Sequence, residues 1–487
     1  MITIKPRFQF DCDVLITGGG PGGSALAYHL ARKGHKVIVA EAEQFPRDKV
    51  CGDGVSPIAI SELHAMGITG TEKFRQTNEI KKVGLFIQND KVIIDLSKPE
   101  HLLFHAHIIP RIELDHWIYE AAKNAGAQYF EKCRVTDYVV TDQGVNVSLT
   151  QEKRNFQIKT KVIVGADGSS STIGRKMRGT KPGEEFQLLG LRAYYENVHG
   201  PTDRVDIYFS GESFPGIYWL FPKGPDGANI GMAMVSATIP QNTRHISKML
   251  TEHIGNNADI KERIGPGKIS GKIAGWPLVF YNSESRITAN RVLLVGDAAG
   301  LINPLSGDGI QYALLSARWA SETLDAAITR NDFSEARLNT YREKVDQELG
   351  FDFALSNMLV QFSRNKTLTP VWMSILRIMI ARSKDDPAYA DTIAGIFEGT
   401  YPSHQALNLP FILKTLLQGG KEMAVAPLSE LWNNPAGFAR SKSELSDTVM
   451  QFLKNIKNDP KDQARWLLNV TRSGISVAGH ILGSLGR

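Results

Sequence analysis

The chain has 487 residues, 42% of them hydrophobic and 22% charged, with a formal net charge of +5. That length suggests two or three domains around a large core, and the composition is that of a globular protein rather than a fibrous or disordered one. The small, scattered positive charge argues against a nucleic-acid partner, though it is compatible with an anionic membrane surface. Cys12, Cys51 and Cys133 are the three cysteines and form no C-x-x-C pair. Neither a disulfide framework nor a metal site is indicated, and a reducing, cytoplasmic setting fits. The opening MITIKPRFQFDCDVLITG lacks a signal-peptide pattern. Val371–Ala381 and Ser473–Gly486 are too short to span a bilayer or are interrupted by Arg377 and His480. A cytoplasmic protein is expected, at most peripheral on the cytoplasmic membrane face.

In chain order, the first clear element is Asp13–Thr17, a buried parallel strand by its unbroken apolar run. It leads into Gly18-Gly-Gly20-Pro-Gly-Gly23, then a helical stretch to Lys33 that Gly34 closes, then a second strand, Lys36–Ala40. This is G-x-G-x-x-G in strand–turn–helix–strand context. Gly18 permits the tight turn, Gly20 lets backbone approach a pyrophosphate, Gly23 allows close helix–strand packing, and the helix N-terminus faces the phosphate charge. Glu41, followed by Ala42, is placed to accept hydrogen bonds from ribose hydroxyls. A dinucleotide site is expected here.

Two later stretches specify the dinucleotide. Lys161–Ala166 reads as a strand followed by the turn Asp167-Gly168. Arg291–Gly296 is again a buried strand, ending on Asp297 and continuing through Pro304-Leu-Ser-Gly307-Asp308-Gly309-Ile310 into a helix. In this order, the three signatures resemble the flavoprotein hydroxylase superfamily. That resemblance implies FAD, with Gly296 and Asp297 at its ribityl or pyrophosphate region. The Gly307, Gly309 and Ile310 backbone would face the isoalloxazine, and Arg111, ahead of a helix holding Asp115, would lie near the flavin. The alternative for Arg111 is a surface residue capping that helix.

Residues 80–110 and 187–280 alternate with period two between glycine, proline and asparagine breaks, as antiparallel strands do. The expected fold is α/β plus β, like p-hydroxybenzoate hydroxylase: a Rossmann-type FAD-binding domain (1–80, 100–185 and 285–345), an inserted antiparallel-sheet domain (81–99 and 186–284) and a helical C-terminal region (346–487). Near the end, Leu467, Val470, Ala478, Ile481 and Leu485 recur at helical spacing, with Arg465, Arg472 and Arg487 nearby. Such a stripe reads as core packing or as a membrane-surface helix.

Within that superfamily, FPRDKVCGDGVSPIAISELHAMGI and GLINPLSGDGIQYALLSARWASE resemble the geranylgeranyl reductase family. Its P-G-Y-G-W-x-F-P strand has a counterpart in Pro215–Pro222, where Trp219 and Phe221 match. Ile217 stands in place of the family tyrosine, and Tyr218 is displaced by one, which in a strand turns a side chain to the opposite face. The resemblance implies saturation of isolated C=C bonds in a polyprenyl chain of a lipid, quinone or prenyl diphosphate. FAD would be re-reduced by NAD(P)H or ferredoxin. Tyr218, Trp219 and Phe221 would set π surfaces against developing positive charge. The alternatives are an FAD monooxygenase or epoxidase on an apolar or aromatic substrate, a halogenase, and a non-catalytic flavin or lipid carrier. The halogenase reading suffers because W-x-W-x-I-P would need Trp at 217 and Ile at 221. Cys51 follows the second strand, where the superfamily's chain passes the flavin ring. Gly52 and Gly54 would let backbone lie close to a planar cofactor or substrate, Asp53 and Ser56 would make a helix-entry turn before Pro57, and Arg47 and Lys49 would lower the thiol's pKa. Cys51 then tunes flavin position or supplies a proton; the alternative is a small residue filling a tight turn.

Overall fold

The apolar run Cys12–Thr17 forms a strand in which Val14, Leu15 and Ile16 are wholly buried. A strand without alternation needs cover on both faces, which parallel sheets receive from crossover helices. It lies centrally in an eight-stranded sheet, between Arg154–Gly165 and Val37–Ala40 and parallel to both. Gln128–Phe130 and Val292–Leu294 extend the parallel array outward on either side. Thr288–Ala289 pairs antiparallel at one edge, and the hairpin of Cys133–Thr141 and Gly144–Gln151 folds antiparallel onto Arg154–Gly165. The computed structural model describes residues 10–180, 183–225, 227–239, 244–282, 284–401, 454 and 460–485.

The helix after the glycine turn spans Pro21–Arg32 and ends where expected, Gly34 taking φ +84. The expected strand at Arg291 is shorter than its apolar run: pairing covers only Val292–Leu294, and Gly296–Ala299 already turns as a 3-10 helix. That early turn brings Asp297 to the carboxyl edge of the sheet.

The second sheet has seven strands, in the order Lys268–Val279, Gln187–Glu196, Gly227–Val235, Ile217–Gly224, Arg204–Phe209, Lys82–Ile87 and Asp90–Asp95. It is antiparallel except where Lys82–Ile87 meets Arg204–Phe209. Period-two alternation assigns its faces. In Ile217–Gly224, Tyr218, Leu220 and Pro222 are buried on one side, while Ile217, Trp219 and Phe221 are half-buried on the other. On the first side, Tyr218 and Leu220 join a core with Phe86, Tyr208, Ile230 and Leu250.

Helices Thr369–Asp385 and Pro387–Glu398 pack Met373, Ile380, Ile393 and Ala394 against Ile80, Val83, Ile94 and Ile108, closing the outer strands of this sheet. The last helix, Pro460–Leu485, packs along Glu335–Ser363: Trp466 Nε1 donates to Gln361 O at 3.0 Å, and the His480 ring sits over Gly350. The apolar stripe is accordingly not uniformly core. Val470 is half-buried, Leu467 is 58% exposed and Ala478 is exposed. Residues 402–453, the side chains of Ile481 and Leu485, and Arg487 lie outside the described residues. Among the described residues no helix is long and apolar enough to cross a membrane.

Two core histidines couple this packing to pH. The His253 ring stacks on Tyr218 with centroids 3.6 Å apart and its Nε2 lacks a partner; burial pushes its pKa down to about 4. Burial likewise lowers His107 to about 4. The unfolded chain therefore takes up these protons first, so the stability from neutral histidine is complete above about pH 6.5 and is lost as pH falls toward 4. Urea midpoints should fall across that window. His253→Phe, which keeps the stack, should recover about 1 kcal/mol of the loss after allowance for solvent screening. Identical pH dependence in the two proteins would count against this account.

Candidate active site

The carboxyl ends of the central strands face a cavity of about 980 Å³, whose other wall is one face of the seven-stranded sheet. Thr17–Gly18, Ala40–Ala42, Ala166–Gly168 and Val295–Asp297, each at the end of a parallel strand, line it, which is where open α/β sheets hold ligands. One limb is polar and runs along Gly18, Gly20, Glu41, Arg47 and Thr136. The other is apolar, along Ile80, Val83, Leu96, Ile108, Val205 and Ile207, with Phe397 over it.

Of the sequence-predicted residues, Gly18, Gly20, Glu41, Ala42, Cys51, Gly52, Arg111, Asp167, Gly296, Asp297, Gly307, Gly309 and Ile310 all line this cavity, as do Trp219 and Phe221. Gly23 does not. It lies against the backbone of Gly18, close packing that any Cβ would break, as its place in the motif requires. Tyr218 does not either, and drops out of the candidate site: the one-residue displacement turns it to the far face, onto His253.

Local bonding divides the three acids. Glu41 accepts from Gly19 N at 2.7 Å and Glu43 N at 2.9 Å, which fixes the glycine turn and leaves lone pairs for a further donor. Asp167 accepts from Thr172 N at 2.7 Å and from the Ser171 hydroxyl, so its carboxylate caps the helix Thr172–Arg178. Asp297 lines the cavity half-buried and, among the described residues, receives only Ser169 Oγ, at 3.4 Å; burial raises its pKa while Arg111 and Lys49 oppose the rise.

Arg111 is the first residue of the helix Arg111–Asn124, but it is buried rather than a surface cap. It forms a two-pronged pair with Asp115 at 2.6 and 2.8 Å, and its positive charge acts on the nearby Cys51 thiol. The flanking cations do not activate that thiol. Arg47 turns to Asp115 at 3.0 Å and Glu41 at 3.5 Å, and Lys49 Nζ lies 3.3 Å from the centre of the Trp276 ring. Burial holds the thiol above its ordinary pKa. Lys49 Nζ is itself buried without a hydrogen-bond partner, and burial lowers it to about 7.

A polar knot behind Cys51 escaped the sequence reading. Asn229 Nδ2 donates to Cys51 O at 2.7 Å and to Asp53 Oδ2 at 2.8 Å, and its Oδ1 accepts from Trp219 Nε1 at 3.0 Å. Tyr194 OH donates to the same Asp53 oxygen at 2.8 Å. Asp53 is wholly buried at φ +66, and burial raises it to about 6. Helix entry is left to Ser56, whose hydroxyl accepts from Ala59 N at 3.3 Å. Gly52 and Gly54 serve the aromatic wall: a Cβ on Gly52 would stand 3.3 Å from the Phe221 ring and 3.5 Å from Trp219 Nε1. The backbone approach read from these glycines is thus to protein rings. Asn229→Leu, which strands the Cys51 carbonyl and the Trp219 N–H and leaves Asp53 with Tyr194 alone, should cost about 2–4 kcal/mol in urea unfolding. It should also speed alkylation of Cys51, and unchanged values of both would remove the knot from the account.

The cavity's chemistry suits a dinucleotide. A Cβ on Gly18 would stand 2.5 Å from Ala166 O, and the Pro21–Arg32 helix carries neither a capping side chain nor an acid in its first turn. Its free N–H groups and the unpaired Lys49 ammonium both await an anion.

Residues 11–348 match the family described as FAD binding domain. The chain is 31% identical over 333 residues to a menaquinone reductase of Mycolicibacterium smegmatis, covering 66% of this chain and 78% of that one. It is 26% identical over 337 residues to a digeranylgeranylglycerophospholipid reductase of Thermoplasma volcanium, covering 68% and 83%. Among solved structures it resembles a geranylgeranyl bacteriochlorophyll reductase-like protein of Thermoplasma acidophilum, with TM-score 0.64, 24% identity, and 84% and 98% of the two chains covered. A flavin-dependent brominase shares the fold at TM-score 0.67 and 18% identity, with 85% and 99% covered. With its glycine turn, its three strand-end acids and this match over 11–348, the chain belongs to the FAD-binding-domain family of flavoproteins.

Proposed function

We propose that this chain is an FAD-dependent reductase that saturates isolated C=C bonds of a polyprenyl chain carried by a lipid, a quinone or a prenyl diphosphate. The observation that carries this reading is the continuity of the cavity: its polar limb opens directly into an apolar limb walled by Ile80, Val83, Ile108, Ile207, Trp219 and Phe221. A long hydrocarbon has a place to lie there without leaving buried polar groups unpaired. The named relatives act in the same direction.

FAD would be held by the Gly18–Gly20 turn and the helix behind it, by Glu41, Arg111 and Asp297, and by the Gly307–Ile310 turn; once reduced by NAD(P)H or ferredoxin it supplies hydride. The residues of this chain do the rest. Trp219 and Phe221 present π faces to positive charge that builds on the substituted alkene carbon. Asn229 keeps the Trp219 indole from rotating by holding its N–H. Asn229 also holds the Cys51 carbonyl and the Asp53 carboxylate, so the loop at 51–54 shapes the cavity wall. Cofactor contacts would come chiefly from 1–80, 100–185 and 285–345, and substrate contacts chiefly from 81–99 and 186–284, with Ile80, Ile108 and Phe397 adding to the apolar wall. Access from the cytoplasmic face of a membrane suits so apolar a substrate.

Asp297→Ala should weaken FAD retention by at least tenfold, and Asp167→Ala by much less, because Asp167 already spends its oxygens on a helix cap. Equilibrium dialysis of the two variants checks the order. For the reaction, dithionite-reduced enzyme incubated anaerobically with polyprenyl lipids, quinones and diphosphates should yield products heavier by multiples of about two mass units, one hydride and one proton per bond. Products heavier by about sixteen on admission of oxygen would move the assignment to a monooxygenase, and FAD-loaded enzyme that turns over nothing would make it a carrier.

A further inference from the structure

Saturating an alkene needs a proton as well as a hydride; the thiol and the aromatic side chains placed around the cavity are poor sources of one, and Lys49 Nζ lies against the Trp276 ring. The Trp219 N–H is committed to Asn229, and Phe221 has none to give. The Cys51 thiol is held by burial above its ordinary pKa, well away from the neutral range in which a general acid works best. Tyr218 faces the other side of its sheet.

Beside the strand Ala106–Ile108, which pairs with Gly54–Val55, the cavity lining holds an acid that no motif marks. Glu398 ends the helix Pro387–Glu398 and lines the cavity between Phe397 and Gly399. One turn back, Ile393 and Ala394 belong to the apolar cluster with Ile80, Leu96 and Ile108 that walls the hydrocarbon limb. On the other side, the chain reverses at Gly399 (φ +80), where a Cβ would stand 3.1 Å from Gln311 Oε1 and 3.7 Å from Asp308 Oδ2. Glu398 thus sits where the apolar limb meets the 307–310 turn. Its carboxyl is weakly held: Oε1 receives Ala106 N at 3.3 Å and Oε2 receives Thr400 Oγ1 at 3.5 Å. Among the described residues no lysine or arginine pairs with it. The titratable groups nearest are Asp391 on its own helix, Tyr401, whose hydroxyl donates to Asp391 at 3.3 Å, Asp308 across Gly399, and His105 and His107 flanking Ala106, of which His107 Nδ1 is engaged by Thr77. Burial, with Asp391 and the helix C-terminus acting alike, raises the carboxyl to about 7, so it carries its proton up to neutral pH.

We propose that Glu398 is the acid that protonates the alkene. This rests on the reductase reading above. The Glu398 O–H bond breaks and its proton is taken by the π electrons at the less substituted carbon; the hydride, with its electron pair, closes the second C–H bond at the more substituted one. The reduced flavin is the two-electron donor, the alkene is reduced, and the Glu398 carboxylate regains its proton from water. Because the acid form is the active form, the reductive step is full below about pH 7 and declines as pH rises through that value.

Glu398→Gln keeps the size and an acceptor for Ala106 but has no proton to release. In anaerobic stopped-flow, oxidation of the dithionite-reduced holoenzyme by a polyprenyl substrate should slow by about 10²-fold or more and lose its decline above pH 7. Glu398→Asp should restore part of the rate, and both variants should retain FAD as wild type does. Independently of turnover, infrared titration of the holoprotein should show a protonated-carboxyl band that disappears through about pH 7 and is missing in Glu398→Gln. A Glu398→Gln enzyme with wild-type rate and pH profile overturns the proposal. So does a band that does not titrate, or a variant that loses FAD, which would make Glu398 a structural support for Ala106. Wild-type enzyme that adds hydrogen to no polyprenyl compound overturns the reductase reading and this role together, an outcome distinct from failure of the variant alone.

Discussion

One side-chain amide ties the two sheets together at the site. Asn229 sits on a central strand of the seven-stranded sheet, wholly buried, and bonds at once to the Cys51 carbonyl, the Asp53 carboxylate and the Trp219 indole. Asp53 is wholly buried and the other two are largely so, and each would cost free energy if left unpaired. The loop following the second parallel strand is therefore pinned to the sheet opposite, and the aromatic wall is set relative to the glycine turn. Gly52 completes the fit by letting the Phe221 ring approach the same loop. A cavity built between two sheets keeps its shape only if something fixes their spacing, and this knot sits where the spacing matters.

Around it the charges are arranged unevenly. Arg47, Arg111, Asp115 and Glu41 pair among themselves, so burial leaves no large net charge there. Lys49 and Asp297 are different: one ammonium and one carboxylate face the cavity with almost no hydrogen bonding. A buried ion without partners is expensive. A protein maintains such a pair where a ligand completes it, and a flavin nucleotide brings both hydroxyl donors and phosphate charge.

The strand–turn–helix unit was legible because everything it needs lies within about 30 consecutive residues, including Gly18, Gly23 and Glu41. The faces of Ile217–Gly224 were legible too, since a period of two fixes the side of every residue once Trp219 is placed. What stayed hidden depends on contacts distant in sequence. Asn229 meets Cys51 across 178 positions, and Glu398 meets Ala106 across 292. An asparagine in a strand and a glutamate at a helix end carry no local signal. Asp53 did carry one, next to Cys51, but a D-G pair reads as an ordinary turn until the fold buries it.

The same distinction explains the cysteine. Its basic neighbours in sequence suggest a reactive thiolate, yet in space Arg47 serves two carboxylates and Lys49 lies on Trp276. What remains beside the sulfur is Arg111, already neutralised by Asp115, and an environment that burial makes hostile to a negative thiolate. A small, neutral, polarisable side chain is what such a place accepts. On our proposal the proton chemistry falls instead to a carboxyl that burial keeps protonated near neutral pH, beside the strand that pairs with the end of that loop.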